Sequence, residues 1–97
     1  MTRYNLRVDS NQSAIVKVLL DAGAQVDIIG KPVDLLVGWP GTKHFAFFEC
    51  KDGDKVKSAQ KPTPAQVKFF ERWAGYPLFI VDSPETALAM LQVLIKP

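Results

Sequence analysis

With 97 residues, a net charge of +2 and one cysteine, the chain is sized for one domain and cannot build a disulfide framework or a cysteine-rich zinc site. The 12 lysines and arginines exceed the 10 aspartates and glutamates by too little to mark a nucleic-acid binder, so any basic surface must be local. No stretch reaches the roughly 18 apolar residues of a membrane span, and the opening MTRYNLRVDSNQ lacks the apolar core of a signal peptide, which predicts a soluble intracellular protein.

No linker, repeat or low-complexity segment divides residues 1–97, and the prolines and glycines fall singly between periodic segments. SNQSAIVKVLLDAGA places Ile15, Val16, Leu19 and Leu20 at helical spacing, with Ser10 or Asn11 as cap and Gly23 as terminator. QVDII reads as a short strand and Gly30 to Pro32 as a turn. VDLLVGW is β-rich, with Leu35, Leu36 and Val37 suggesting burial on both faces. WPGTK turns the chain back along HFAFFECK. Residues 52–62 are polar and lysine-rich. Thr63 as cap and Pro64 at the first helical position open TPAQVKFFERWAG, ended by Gly75, with Val67, Phe70 and Trp73 or Ala74 as its inner stripe. PLFIV reads as a buried strand, and Ser83-Pro84 opens a last helix to about Ile95. The order αβββαβα predicts an α/β domain with a mixed sheet flanked by helices, because the crossover helix between the last two strands implies a parallel pair.

Chemistry gathers at FFECKDG. Strand alternation puts Glu49 and Lys51 on one face and Cys50 on the other. A hairpin closing near Pro40 and Gly41 brings Asp34 level with Glu49 to within a residue or so. Two carboxylates this close need a cation, and hard oxygen donors select Mg²⁺ or Mn²⁺; the Cys50 backbone carbonyl is a further donor. Lys51 would then orient or deprotonate a water, or offset charge at phosphorus. The same letters also fit a surface strand of alternating charge.

PVDLLVG, FFECKDG, KPTPAQVKFFERWAG and LFIVDSPETAL together resemble the VRR-Nuc family, the virus-type replication and repair nucleases of the PD-(D/E)xK superfamily. DSNQSAIVKVLLDAGAQV is similar to the start of small phage-type members, and the resemblance runs from Asp9 to Leu88. It implies the restriction-endonuclease-like core of that superfamily and Mg²⁺- or Mn²⁺-dependent hydrolysis of DNA. Asp34 resembles the metal-binding aspartate, Glu49 and Lys51 the (D/E)xK pair, and Gln66 the glutamine on the helix after the active strand. Asp9 and Gln12 are similar to polar positions of the first helix, where an acid commonly joins the metal site. The usual Pro-Asp is Val33-Asp34 here, with Pro32 one place earlier, and Pro62 stands where the family has leucine; neither change removes a ligand.

The resemblance further implies a homodimer acting on branched DNA such as four-way junctions, in a bacterial or phage-infected cytoplasm. Lys55, Lys57 and Lys61, with Gln12, would contact DNA; otherwise the lysines form a solvated loop and Gln12 a solvated helical position. Asp9 is either a ligand or an acid answering the helix dipole. Trp39 either tucks under a neighbouring loop or meets a base or second subunit. His44 reads as exposed and Cys50 as a small core residue. The expected function is a metal-dependent DNA endonuclease. Its rivals are a catalytically inactive nucleic-acid-binding or assembly module on the same fold, which the intact trio Asp34, Glu49 and Lys51 argues against, and another enzyme class, which lacks a Ser/His pair or Gly-rich loop here.

Overall fold

The computed structural model describes residues 10–51 and 62–96. These form α1 (Ser10–Asp21), β1 (Gln25–Ile28), β2 (Leu35–Gly38), β3 (Phe45–Cys50), α2 (Pro64–Arg72), β4 (Leu78–Val81) and α3 (Pro84–Ile95), the αβββαβα order expected from the sequence. The strands make one four-stranded sheet in the order β1-β2-β3-β4. The first three run antiparallel as a meander, and β4 lies parallel to β3 after the excursion through α2. The sheet is therefore mixed, as a crossover helix requires.

Alternation along the strands splits the sheet into two unlike faces. Leu35 and Val37 of β2, Ala46, Phe48 and Cys50 of β3 and Val81 of β4 share one face, where they pack with Ile15 and Leu19 of α1 and Ala87, Leu91 and Leu94 of α3. This is the principal core, and Phe48 is completely buried in it. The opposite face carries Leu36, Phe47, Glu49, Leu78 and Ile80. There α2 lays Phe69 and Trp73 edge-on against Phe47, at centroid distances of 5.3 and 5.4 Å.

Local chemistry fixes the element ends. Thr63 and Ser83 each accept from the backbone N–H three residues on, while the side chains of Gln66 and Thr86 reach back to the caps, and a proline follows each cap. Gly23 ends α1 at φ +105°, a left-handed conformation that side chains resist, and it leaves room for the Trp39 ring beside it. Trp39 is half-buried against the core, the tucked arrangement of the two foreseen for it.

Several expected positions shift. Leu20 is 51% exposed, so the inner stripe of α1 is Ile15 and Leu19, with Val16 at its margin. In α2 the buried residue is Phe69; Val67 and Ala74 face solvent and Phe70 is only partly covered. Leu36 is half-buried, since only one face of β2 is sealed by two helices, and Ile80 lies open on β4, an edge strand among the described residues. Ser10 and Asn11 both lie within α1 and so do not cap it. Among the described residues no helix is long and apolar enough to cross a membrane.

Candidate active site

Asp34 stands immediately before β2, where its carbonyl accepts from the N–H groups of Ile29 (2.9 Å) and Gly30 (3.2 Å). Leu35 pairs with Phe48, so one step further along the antiparallel ladder Asp34 comes opposite Glu49 on the less covered face. The Cys50 N–H donates to Asp34 Oδ2 at 2.8 Å, which fixes that carboxylate against the end of β3. The expected convergence of Asp34 and Glu49 is thus present, and it follows from hairpin register alone.

Glu49 is only 5% exposed. Its Oε2 receives two donors, Gln66 Nε2 at 2.7 Å and Lys51 Nζ at 3.2 Å. Gln66 also donates to the Pro32 carbonyl at 3.0 Å, tying α2 to the segment that leads into Asp34. The Gln66 amide is oriented by the helix cap: its Oε1 accepts from the Thr63 N–H at 3.1 Å, which leaves Nε2 as the face toward Glu49. One glutamine therefore caps a helix and holds a carboxylate.

Glu49 Oε1 is buried and, among the described residues, finds no hydrogen-bond partner. Glu49 interacts with Asp34, whose carboxyl is pushed up to about 6 by burial first and then by the Glu49 charge and a carboxyl–carboxylate hydrogen bond with Glu49, against the opposing pull of the Cys50 N–H and, more weakly, of Lys51. Two ionised carboxylates have no proton to share, so Oε1 gains a donor only when Asp34 is protonated. With both ionised, the pair carries two negative charges against one ammonium among the described residues. A partly buried carboxylate pair with an orphaned oxygen fits a hard cation.

The donors that could hold such a cation are Glu49 Oε1, the second oxygen of Asp34 and the Cys50 carbonyl, all hard oxygens suited to Mg²⁺ or Mn²⁺. Among the described residues no group of three or more His, Cys, Asp or Glu converges. Mg²⁺ commonly takes one or two carboxylates and fills its shell with water and substrate phosphate. Asp9, the further expected ligand, and Lys55, Lys57 and Lys61, the expected DNA contacts, lie outside the described residues.

Gln12 is buried at 8% exposure beside Val16, Leu20 and Ile28, and no hydrogen bond ties it to Asp34 or Glu49. His44 is exposed. A hollow of about 580 Å³ near the β2–β3 turn, lined by Asp27, Leu36, Trp39, His44, Phe45 and Phe47 among others, contains none of the carboxylate cluster. The ionisable groups are concentrated around Glu49, which makes that cluster the candidate site.

Sequence reasoning passed over Asn11. Its amide donates to the Lys51 carbonyl at 2.7 Å and to the Asp82 carbonyl at 2.9 Å. The letters offered a cap residue at a helix start; nothing local shows that the ends of two strands lie above it. No family model, curated protein or solved structure matches this chain.

Proposed function

We propose that this chain is a metal-dependent DNA endonuclease of the VRR-Nuc type, with the restriction-endonuclease-like PD-(D/E)xK core. The observation that carries the reading is the buried Oε1 of Glu49, which has no hydrogen-bond partner among the described residues and is set level with Asp34 and beside Lys51. A structural ion pair would have its oxygens satisfied; a ligand keeps one open.

Bound Mg²⁺ or Mn²⁺ supplies Lewis-acid polarisation of the phosphodiester and a lowered pKa for water. Asp34, Glu49 and the Cys50 carbonyl are the groups that would hold the cation. Lys51, whose side chain is 19% exposed beside Glu49, would offset the negative charge that develops on the oxygens of the attacked phosphate. Gln66 engages Oε2 and keeps Glu49 in one orientation, so that Oε1 is the oxygen that would be left for a cation. Attack of water on phosphorus forms one P–O bond as the ester P–O bond breaks; the water gives up one proton and the departing oxygen takes one up, leaving a phosphomonoester and a hydroxyl.

The resemblance supports a homodimer whose two-fold axis presents a pair of sites to branched DNA such as a four-way junction, in a bacterial or phage-infected cytoplasm. The test is a panel of linear, flapped and four-way DNA incubated with purified protein and Mg²⁺ or Mn²⁺, with chelator controls. Metal-dependent cleavage that disappears in Lys51→Ala, with DNA binding retained, supports the reading. DNA binding without cleavage by the wild-type chain would replace it with a binding or assembly module.

A further inference from the structure

We propose that Asn11 is a positioning residue for Lys51, acting from α1 through the backbone at the ends of the two parallel strands. The inference rests on the nuclease reading for its catalytic meaning, although the positioning itself is a statement about this chain alone.

The last rung between β3 and β4 is the Lys51 N–H donating to the Val81 carbonyl at 2.8 Å. One residue beyond each strand, the carbonyls of Lys51 and Asp82 have left the ladder. The amide of Asn11 carries two hydrogens, and both are used: one on Lys51 O at 2.7 Å, the other on Asp82 O at 2.9 Å. No other amino acid of that length offers two donors from one atom.

These bonds span 40 and 71 residues of sequence, so one helical side chain joins three segments. The Asp82 end is itself anchored, because its N–H donates to Thr86 Oγ1 at 3.0 Å and that hydroxyl bonds Asp82 Oδ1 at 3.2 Å within the cap of α3. Lys51 is thereby held at both backbone groups, its N–H by Val81 and its carbonyl by Asn11. The side chain departs from a fixed Cα and reaches Glu49 Oε2 at 3.2 Å. Strand ends fray when their last bonds are unsupported. Here α1 supplies the support at the residue that bears the catalytic ammonium.

The test compares Asn11→Ala with Leu91→Val, a core change in α3 that lowers stability away from the site. Nitrogen NMR of the lysine ammonium groups in metal-free protein reads Lys51 directly. The wild-type signal should be distinct from those of exposed lysines, Asn11→Ala should move it to their position, and Leu91→Val should leave it in place. In DNA cleavage, Asn11→Ala should lower kcat about 10–100-fold, as losses around metal-site ligands do, with KM changed less than about twofold because phosphate binding is not what is lost. An unmoved Lys51 signal in Asn11→Ala overturns the proposal, as does an equal kcat loss in Leu91→Val. Asn11→Ser, whose hydroxyl is one bond too short to bridge the two carbonyls but keeps a polar group at the position, should move the signal in the same direction and serves if the alanine variant does not fold. A wild-type chain that cleaves no DNA would remove the nuclease reading, while the NMR comparison would still decide whether Asn11 holds Lys51.

Discussion

Phe47 and Phe48 are adjacent in β3 and meet opposite conditions. Phe48 is fully buried under α1 and α3, edge-on to Phe79 at 5.6 Å, whereas Phe47 is half-buried among Phe45, Phe69 and Trp73. The next pair repeats the contrast: Cys50 is a small core residue and Glu49 a buried carboxylate with one unsatisfied oxygen. A face sealed by two helices is organised for apolar burial. On the face covered by α2, Phe47 and Phe69 pack together in the same layer as a polar cluster of Glu49, Lys51 and Gln66. One strand thus serves an apolar core on one face and a polar cluster on the other.

The sharpest way to test that division is to remove function without removing fold. Lys51→Ala should end detectable cleavage while circular dichroism and DNA binding stay near wild type; full cleavage would end the assignment of this face to catalysis. On the sealed face, Phe48→Ala should cost about 3–5 kcal/mol in chemical denaturation. Phe47→Ala should cost less, about 2–3 kcal/mol, because part of its ring already meets solvent. Equal losses would show that the two faces contribute alike to stability.

Gln66→Ala tests the double use of one side chain. Losing the capping box and the Glu49 contact should cost about 1–2 kcal/mol in stability and lower kcat about tenfold or more. Thr63→Ala, which removes the cap alone, should match the stability loss more closely than the kcat loss.

Asp34 gives a pH signature. Its carboxyl titrates at about 6 in the fold against 3.8 as a free side chain, so between those values the folded chain holds more protons than the unfolded one. Stability of the metal-free protein should therefore fall as pH rises from about 4 to about 6 and stay lower above that. Asp34 is half-exposed, and water screening reduces the loss to about 1–2 kcal/mol. Asp34→Asn should abolish this slope, matching wild type near pH 4 and exceeding it at pH 7, while ending cleavage. Mg²⁺ or Mn²⁺ should recover the loss in wild type and not in the variant, read as a shift in Tm. A metal-free stability that climbs from pH 4 to 6 would contradict the buried-pair electrostatics. The smallest effect belongs to Ile80→Thr: this residue is 56% exposed on edge strand β4, and the change should stay within about 0.5 kcal/mol.

What the sequence by itself determined is what depends on near neighbours. Alternation separates Phe48 and Cys50 from Phe47 and Glu49, Pro40-Gly41 sets the hairpin that levels Asp34 with Glu49, and the Thr63-Pro64 and Ser83-Pro84 pairs start α2 and α3, because periodicity, turns and caps act over a few residues. Only the tertiary structure decided which side of α2 faces inward. Apolar residues lie around much of that helix, and docking on Phe47 selects the row of Gln66, Phe69 and Trp73 over Val67 and Phe70. The same holds for Asn11, whose two partners lie 40 and 71 residues away. Such bonds are set by where chain ends meet in space, and no local pattern encodes that meeting. The open oxygen of Glu49 belongs to this second class as well, since it exists only once Gln66 and Lys51 have both chosen its twin.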